Sequence, residues 1–165
     1  MIRSKRLAAC SLIISLCVVI MLLGAVLELG IYAAPLICAV ALLPIGQKYG
    51  TKYQLLVWAA VSLLSFILVP NPEQNLLFFG IFGWYPIARP ALQRFPRMLR
   101  IVFKLALFNA VVIAVETLVM LVLVPEVMGA ELMILFLVLM NILLLCFDRL
   151  LPLAEILMAR LTKYI

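Results

Sequence analysis

Long apolar runs, separated by short stretches that carry charge, proline or asparagine, make up almost the whole chain. Runs of this kind predict membrane-spanning helices, which need about 20 apolar residues each. The first covers 7–29, behind the basic start Arg3-Ser4-Lys5-Arg6. It exceeds the roughly 7–15-residue apolar core of a cleaved signal peptide, so a retained span is expected. Further spans are predicted over 32–45 (short, with Pro35 and Pro44 near its ends), 53–69, 72–87, 101–124 and 131–147. Beyond them Leu150, Leu153, Ala154, Leu157, Leu161 and Tyr164 recur at helical spacing, which predicts an amphipathic helix lying in the interface over 150–165. The expected fold is therefore all-α: one integral membrane bundle of six transmembrane helices over 1–165, with no internal repeat.

Charge orients the spans. All thirteen lysines and arginines fall at the N-terminus, in the connections after the second and fourth spans, one turn into the fifth (Lys104), or in the tail. With six spans these places share one side. The opposite connections hold only Glu28, Glu73, Glu126 and Glu131. The positive-inside rule then places both termini in the cytoplasm. The net charge of +6 is thus a topology signature, with attraction to anionic lipid or an acidic cytoplasmic partner, and not a nucleic-acid signal.

Composition narrows the chemistry. Hydrophobic residues are 68% and charged residues 12%, against about 45–50% and 25% in soluble domains; a soluble globular domain and a disordered chain are both excluded. There is no histidine and a single aspartate, Asp148, which removes His-based catalysis and paired-aspartate metal sites. Cys10, Cys17, Cys38 and Cys146 lie in apolar stretches without C-x-x-C spacing and read as small packing residues. No phosphate-cradling glycine loop is present, and the short connections leave no room for an ATPase domain. No catalytic residue, cofactor or metal is expected.

Several polar residues stand out against this background. Glu116 lies nine residues before Pro125, roughly 13 Å below the outer surface by helical rise, where a carboxylate is costly unless paired, hydrated or protonated. Asn109, two turns earlier, faces the same way. Both are candidates to line a polar cavity open to the outside, the alternative being a protonated Glu116 bonded to a neighbouring helix and Asn109 as interhelical glue. Asn141 reads as glue, and Ala106, Ala110 and Ala114 as a ladder for close helix packing. In the polar stretch 70–75, Asn71 reads as an N-cap with Pro72 at the first helical position; Asn71, Glu73 and Asn75 are equally candidates for a lid over an outer site. Phe78, Phe79 and Phe82 read as lipid contacts or as stacking partners for a flat ligand, beside Gly80 and Gly83. Ala8, Ser11 and Ser15 make a small-residue face on the first span where another helix docks closely. Arg94 and Arg97, in the arginine-rich 89–100 stretch, are an inside anchor or a contact for an acidic partner.

The size, the six spans with both termini inside, the small-residue face and the polar outer loops resemble the substrate-binding S components of energy-coupling-factor vitamin transporters. In that family the first span carries an alanine-x-x-x-alanine patch that docks on a transmembrane coupling subunit driven by two ATPases; here the corresponding residues are Ser11-x-x-x-Ser15 with Ala8. The resemblance implies a bacterial cytoplasmic-membrane protein with substrate in the outer half of the bundle, Glu116 and Asn109 as ligands, and 71–75 as a gate. Because the outer side holds carboxylates and no cation, a neutral or cationic small molecule is expected, and the lack of histidine argues against a cobalt or nickel version. The expected function is a membrane-embedded substrate-binding subunit of a vitamin-like uptake transporter energised by partner ATPases. The alternative is a structural membrane protein of the cell envelope, working through helix contacts and its arginine-rich face.

Overall fold

A computed structural model of the chain describes residues 2–27, 30–122 and 130–161. Glu28, Glu126, Pro125 and the 162–165 end of the tail lie outside the described residues, as do the side chains of Arg97 and Glu131. The described residues are helical, without a strand. The helices are α1 (Ile2–Val26), α2 (Ala33–Ala41), α3 (Leu43–Tyr49), α4 (Thr51–Leu68), α5 (Pro72–Leu77), α6 (Tyr85–Leu92), α7 (Arg97–Val122) and α8 (Ala130–Leu161). A π-helical turn, Phe78–Phe82, joins α5 to the turn before α6. Four helical stretches are long and apolar enough to cross a membrane: Ser4–Val26, Thr51–Leu68, Met98–Leu118 and Met133–Arg160.

The elements divide into a broken centre and a smooth periphery. Cys17, Met21, Cys38, Val57, Val61 and Phe78 pack one core between α1, α2 and α4. Ala39, Phe82, Phe108, Val112, Leu144 and Phe147 pack a second between α2, the π turn, α7 and α8. Thus α2 and the 77–82 stretch feed both cores, and the long helices flank them. The flanking helices turn large apolar side chains outward, Leu12 at 65%, Ile67 at 72% and Val102 at 64% exposed, a surface suited to lipid and not to water. Interrupted backbone is tolerated at membrane depth only inside protein, and that is where the breaks lie.

Each break has a local cause. Pro44 sits in the first turn of α3, and the N–H of Leu42, between the two helices, still bonds back to Cys38 O at 3.1 Å. At the π turn, Gly83 gives way to the Trp58 indole: a Cβ on Gly83 would stand 2.4 Å from Trp58 Cδ1. Gly24 plays the same part between α1 and α2, where a Cβ would lie 2.5 Å from that of Ala34. The packing reading of the cysteines holds for Cys10, Cys17 and Cys38, which are buried, with Cys38 Sγ donating to Cys17 O at 3.4 Å; Cys146 is instead exposed on α8, and all four thiols are free.

Two expectations are corrected. A span ending at 147 followed by a separate interfacial helix is replaced by one 32-residue helix, Ala130–Leu161, that contains Pro152. The inward stripe Met140, Leu144, Phe147, Leu151 keeps its helical register across the expected boundary, so packing carries the helix through the proline. At about 48 Å by helical rise α8 exceeds a hydrocarbon layer of about 30 Å. Secondly, Ala106, Ala110 and Ala114 do not pack between helices of this chain. They are exposed on α7, which turns the larger Phe108, Val112 and Val115 inward.

Candidate functional site

Polar side chains collect at two ends of the bundle. The acidic end is built on the 71–77 stretch. Asn71 caps α5 as its sequence predicts, its Oδ1 accepting from Gln74 N at 3.1 Å, with Pro72 opening the helix. Glu73, in the first turn, accepts a 2.7 Å hydrogen bond from the Tyr32 hydroxyl just ahead of α2. Gln74 is fully buried and donates from Nε2 to Met21 O on α1 at 2.9 Å. Asn75 is also buried and donates to Ser65 O and Val69 O, both at 3.1 Å, closing the C-terminus of α4. One short polar segment therefore ties α5 to α1, α2 and α4. Asn71 and Asn75 serve the fold through these bonds.

Glu116, on α7, comes to the same end. It lies near enough to Glu73 and Tyr32 to act on both electrostatically, and its Oε1 is buried with no hydrogen-bond partner among the described residues. Gln74 Oε1 and Asn75 Oδ1 are buried and unpartnered too. Their identity as oxygens is fixed because the amide nitrogens are already spent on carbonyls. Each such atom costs free energy until a donor reaches it. The acidic end thus presents three buried acceptors and the buried Ser65 hydroxyl beside Asn75, none with a partner among the described residues.

Asn109 is not part of this group. It pairs reciprocally with Asn141 on α8: Asn109 Nδ2 donates to Asn141 Oδ1 at 3.1 Å, and Asn141 Nδ2 donates back at 2.8 Å. Each amide also donates to the carbonyl one turn earlier in its own helix, Leu105 and Leu137. Both NH2 groups are satisfied, so the pair is a clasp between α7 and α8. The aromatic stretch is likewise absorbed by packing. Phe78 and Phe82 are fully buried, Phe82 meets Phe147 edge-on at 5.5 Å, and Phe79 stacks on Trp58 at 5.4 Å.

The basic end carries a network that sequence reasoning missed. Lys104 on α7 donates to both oxygens of Asp148 on α8 at 2.9 Å. Tyr85 on α6 donates a hydrogen bond to the same carboxylate. Arg89 lies 3.7 Å from Asp148 and 2.8 Å from Glu155, one turn beyond Pro152. Gln47 donates to Glu155 O at 3.0 Å, tying α3 to the end of α8. Arg6 and Lys48 both approach the Tyr49 ring, each 6.0 Å from its centroid, so the start of α1 and the end of α3 meet here. The lone aspartate of the sequence was the available signal, since an acid so near a membrane needs a cation beside it.

Of the expected docking residues, Ala8, Ser11 and Ser15 are exposed along α1, and each serine hydroxyl donates to its own helix, to Ala8 O at 3.0 Å and Leu12 O at 2.9 Å. Arg94 is exposed in the turn before α7. Compared with protein-family models, with curated proteins and with solved structures, the chain matches none.

Proposed function

We propose that this membrane protein captures a small neutral or cationic molecule, rich in hydrogen-bond donors, at its acidic end, as the substrate-binding subunit of an uptake transporter energised by partner ATPases. In this reading the chain crosses the bilayer six times with both termini in the cytoplasm and the acidic end outside. The shorter elements 33–49 and 72–92 supply the two crossings beyond the four long helices. Support for the topology comes from contacts that alternate along the chain. Arg6, Tyr49, Arg89, Lys104 and Asp148 gather at one end, whereas Tyr32, Glu73 and Glu116 gather at the other.

The observation that carries the ligand chemistry is the buried, unpartnered Glu116 Oε1 beside the Tyr32–Glu73 pair. A carboxylate in that position is satisfied by an ammonium, amidine or ring N–H and repels an anion. Glu116 and Glu73 are then ligands, Tyr32 orients Glu73, and Asn71 and Asn75 hold the segment that presents it. The test is a thermal-shift screen of the purified protein against amines, vitamins, nucleobases and amino acids. A ligand at a hundred times its dissociation constant stabilises by about 2.7 kcal/mol. The reading requires a donor-bearing hit whose shift disappears in Glu116→Gln.

A second reading, a scaffold acting through helix contacts, is favoured by one observation. Two small-residue faces, Ala8/Ser11/Ser15 on α1 and Ala106/Ala110/Ala114 on α7, are exposed, and such faces allow close approach of a partner helix in lipid. A scaffold retains its partner and its stability in Glu116→Gln and shows no ligand shift.

A further inference from the structure

The cleft between α6, α7 and α8 at the basic end encloses a cavity of about 350 Å³. This lies within the range of small-ligand sites, about 300–1,000 Å³. Its charged lining is four cations, Arg89, Arg100, Lys104 and Arg149, against one carboxylate, Asp148. Helical spacing explains the convergence. Arg100 and Lys104 are one turn apart on α7, as are Leu145 and Arg149 on α8, so both helices aim cations at the same depth.

The carboxylate is already neutralised. Lys104 holds both of its oxygens, and Arg89 and Tyr85 approach from α6. Arg89 is shared with Glu155 outside the cavity. Arg100, half-buried, and Arg149, exposed, make no ion pair with any described residue, so the cavity keeps two guanidinium groups whose charge no described carboxylate neutralises. Guanidinium pairs of this kind match the oxygens of a phosphate bidentately. Gln93 and Tyr85 complete the polar lining, and the rest is apolar: Ile101 and Leu145 line the cavity and are exposed on the outer surface of α7 and α8. It therefore offers a cationic cup with a hydrocarbon flank, the form that basic pockets between membrane helices take when they hold anionic headgroups.

We propose that this cavity is a binding site for a phosphate-bearing anion, held by Arg100 and Arg149 over the Lys104–Asp148–Arg89 network. The phosphate has two sources, the phosphodiester of an anionic lipid seated against Ile101 and Leu145, or a soluble phosphate. This site is independent of the acidic-end reading and survives its failure.

The test measures the melting temperature of the full-length protein in uncharged detergent with added phosphatidylglycerol, phosphatidylcholine or inorganic phosphate. Stabilisation by phosphatidylglycerol beyond that by phosphatidylcholine is expected. If inorganic phosphate reproduces the shift, the source is soluble; if not, it is the lipid. Arg100→Gln and Arg149→Gln should each raise the half-saturating concentration about fivefold, the scale of one cation at an anionic surface. Lys52→Gln, which removes the same charge from an exposed site on α4, should leave it unchanged. Equal behaviour of the two lipids with no phosphate effect overturns the proposal without reliance on any variant. So does an equal loss in Lys52→Gln, which would assign the attraction to diffuse charge.

Discussion

At the acidic end three buried acceptor oxygens, on Gln74, Asn75 and Glu116, have no donor among the described residues. At the basic end the carboxylates of Asp148 and Glu155 are taken up by Lys104, Arg89 and Tyr85, and the cations Arg100 and Arg149 are left over. The two ends thus carry opposite deficits of charge among the described residues: Glu73 and Glu116 have no cation beside them, and Arg100 and Arg149 no carboxylate. The deficit is costly at the acidic end, where the Glu116 oxygen is buried; at the basic end Arg149 is exposed and Arg100 half-buried, so their surplus charge is tolerated without a partner. Under the two proposals above, opposite deficits call for opposite guests. They also separate the residues that hold the bundle together from those available to a ligand.

The largest effect on stability is expected where a satisfied network is broken. Asp148→Ala strands Lys104, whose side chain is only 13% exposed, while Arg89 keeps Glu155; it should cost about 3 kcal/mol, read as a fall in melting temperature. Lys104→Met combined with Asp148→Leu should melt above Asp148→Ala, because no unpaired lysine remains. Next comes Gly24→Ala, whose Cβ would press on Ala34 and Gly30 O; overpacking of this kind costs about 1–3 kcal/mol. Asn109→Leu should cost about 1 kcal/mol by leaving Asn141 unpaired, with Asn109→Leu/Asn141→Leu recovering most of it. Smallest of all, Ala8→Leu should leave the melting temperature of the isolated chain unchanged, since Ala8 is exposed. A destabilised Ala8→Leu would show that α1 packs through that face within this chain.

What the sequence made legible follows from how local each cause is. The cores of α1, α4 and α7 were readable because lipid demands an unbroken apolar run. The Asn71 cap was readable because its partner, Gln74 N, is three residues away. The interrupted centre was not: whether Pro44 or Gly83 breaks a helix depends on burial against neighbours such as Trp58, which hydropathy does not encode. Glu116 was found by its depth alone. Asn109 stood between cavity lining and interhelical glue because its partner Asn141 lies 32 residues along the chain. Lys104 counted only as a topology charge because Asp148 is 44 residues away. Side-chain pairs across helices are fixed by rotation and register, and these emerge only when the helices pack.

The most direct test of opposite deficits uses one protein, two guests and two variants. Melting temperature is followed with the best amine from the screen and, separately, with phosphatidylglycerol, for wild type, Glu116→Gln and Arg100→Gln/Arg149→Gln. The account predicts a double dissociation: Glu116→Gln loses the amine shift and keeps the lipid shift, and the double arginine variant does the reverse. Loss of both shifts in either variant, or retention of both in both, would contradict it.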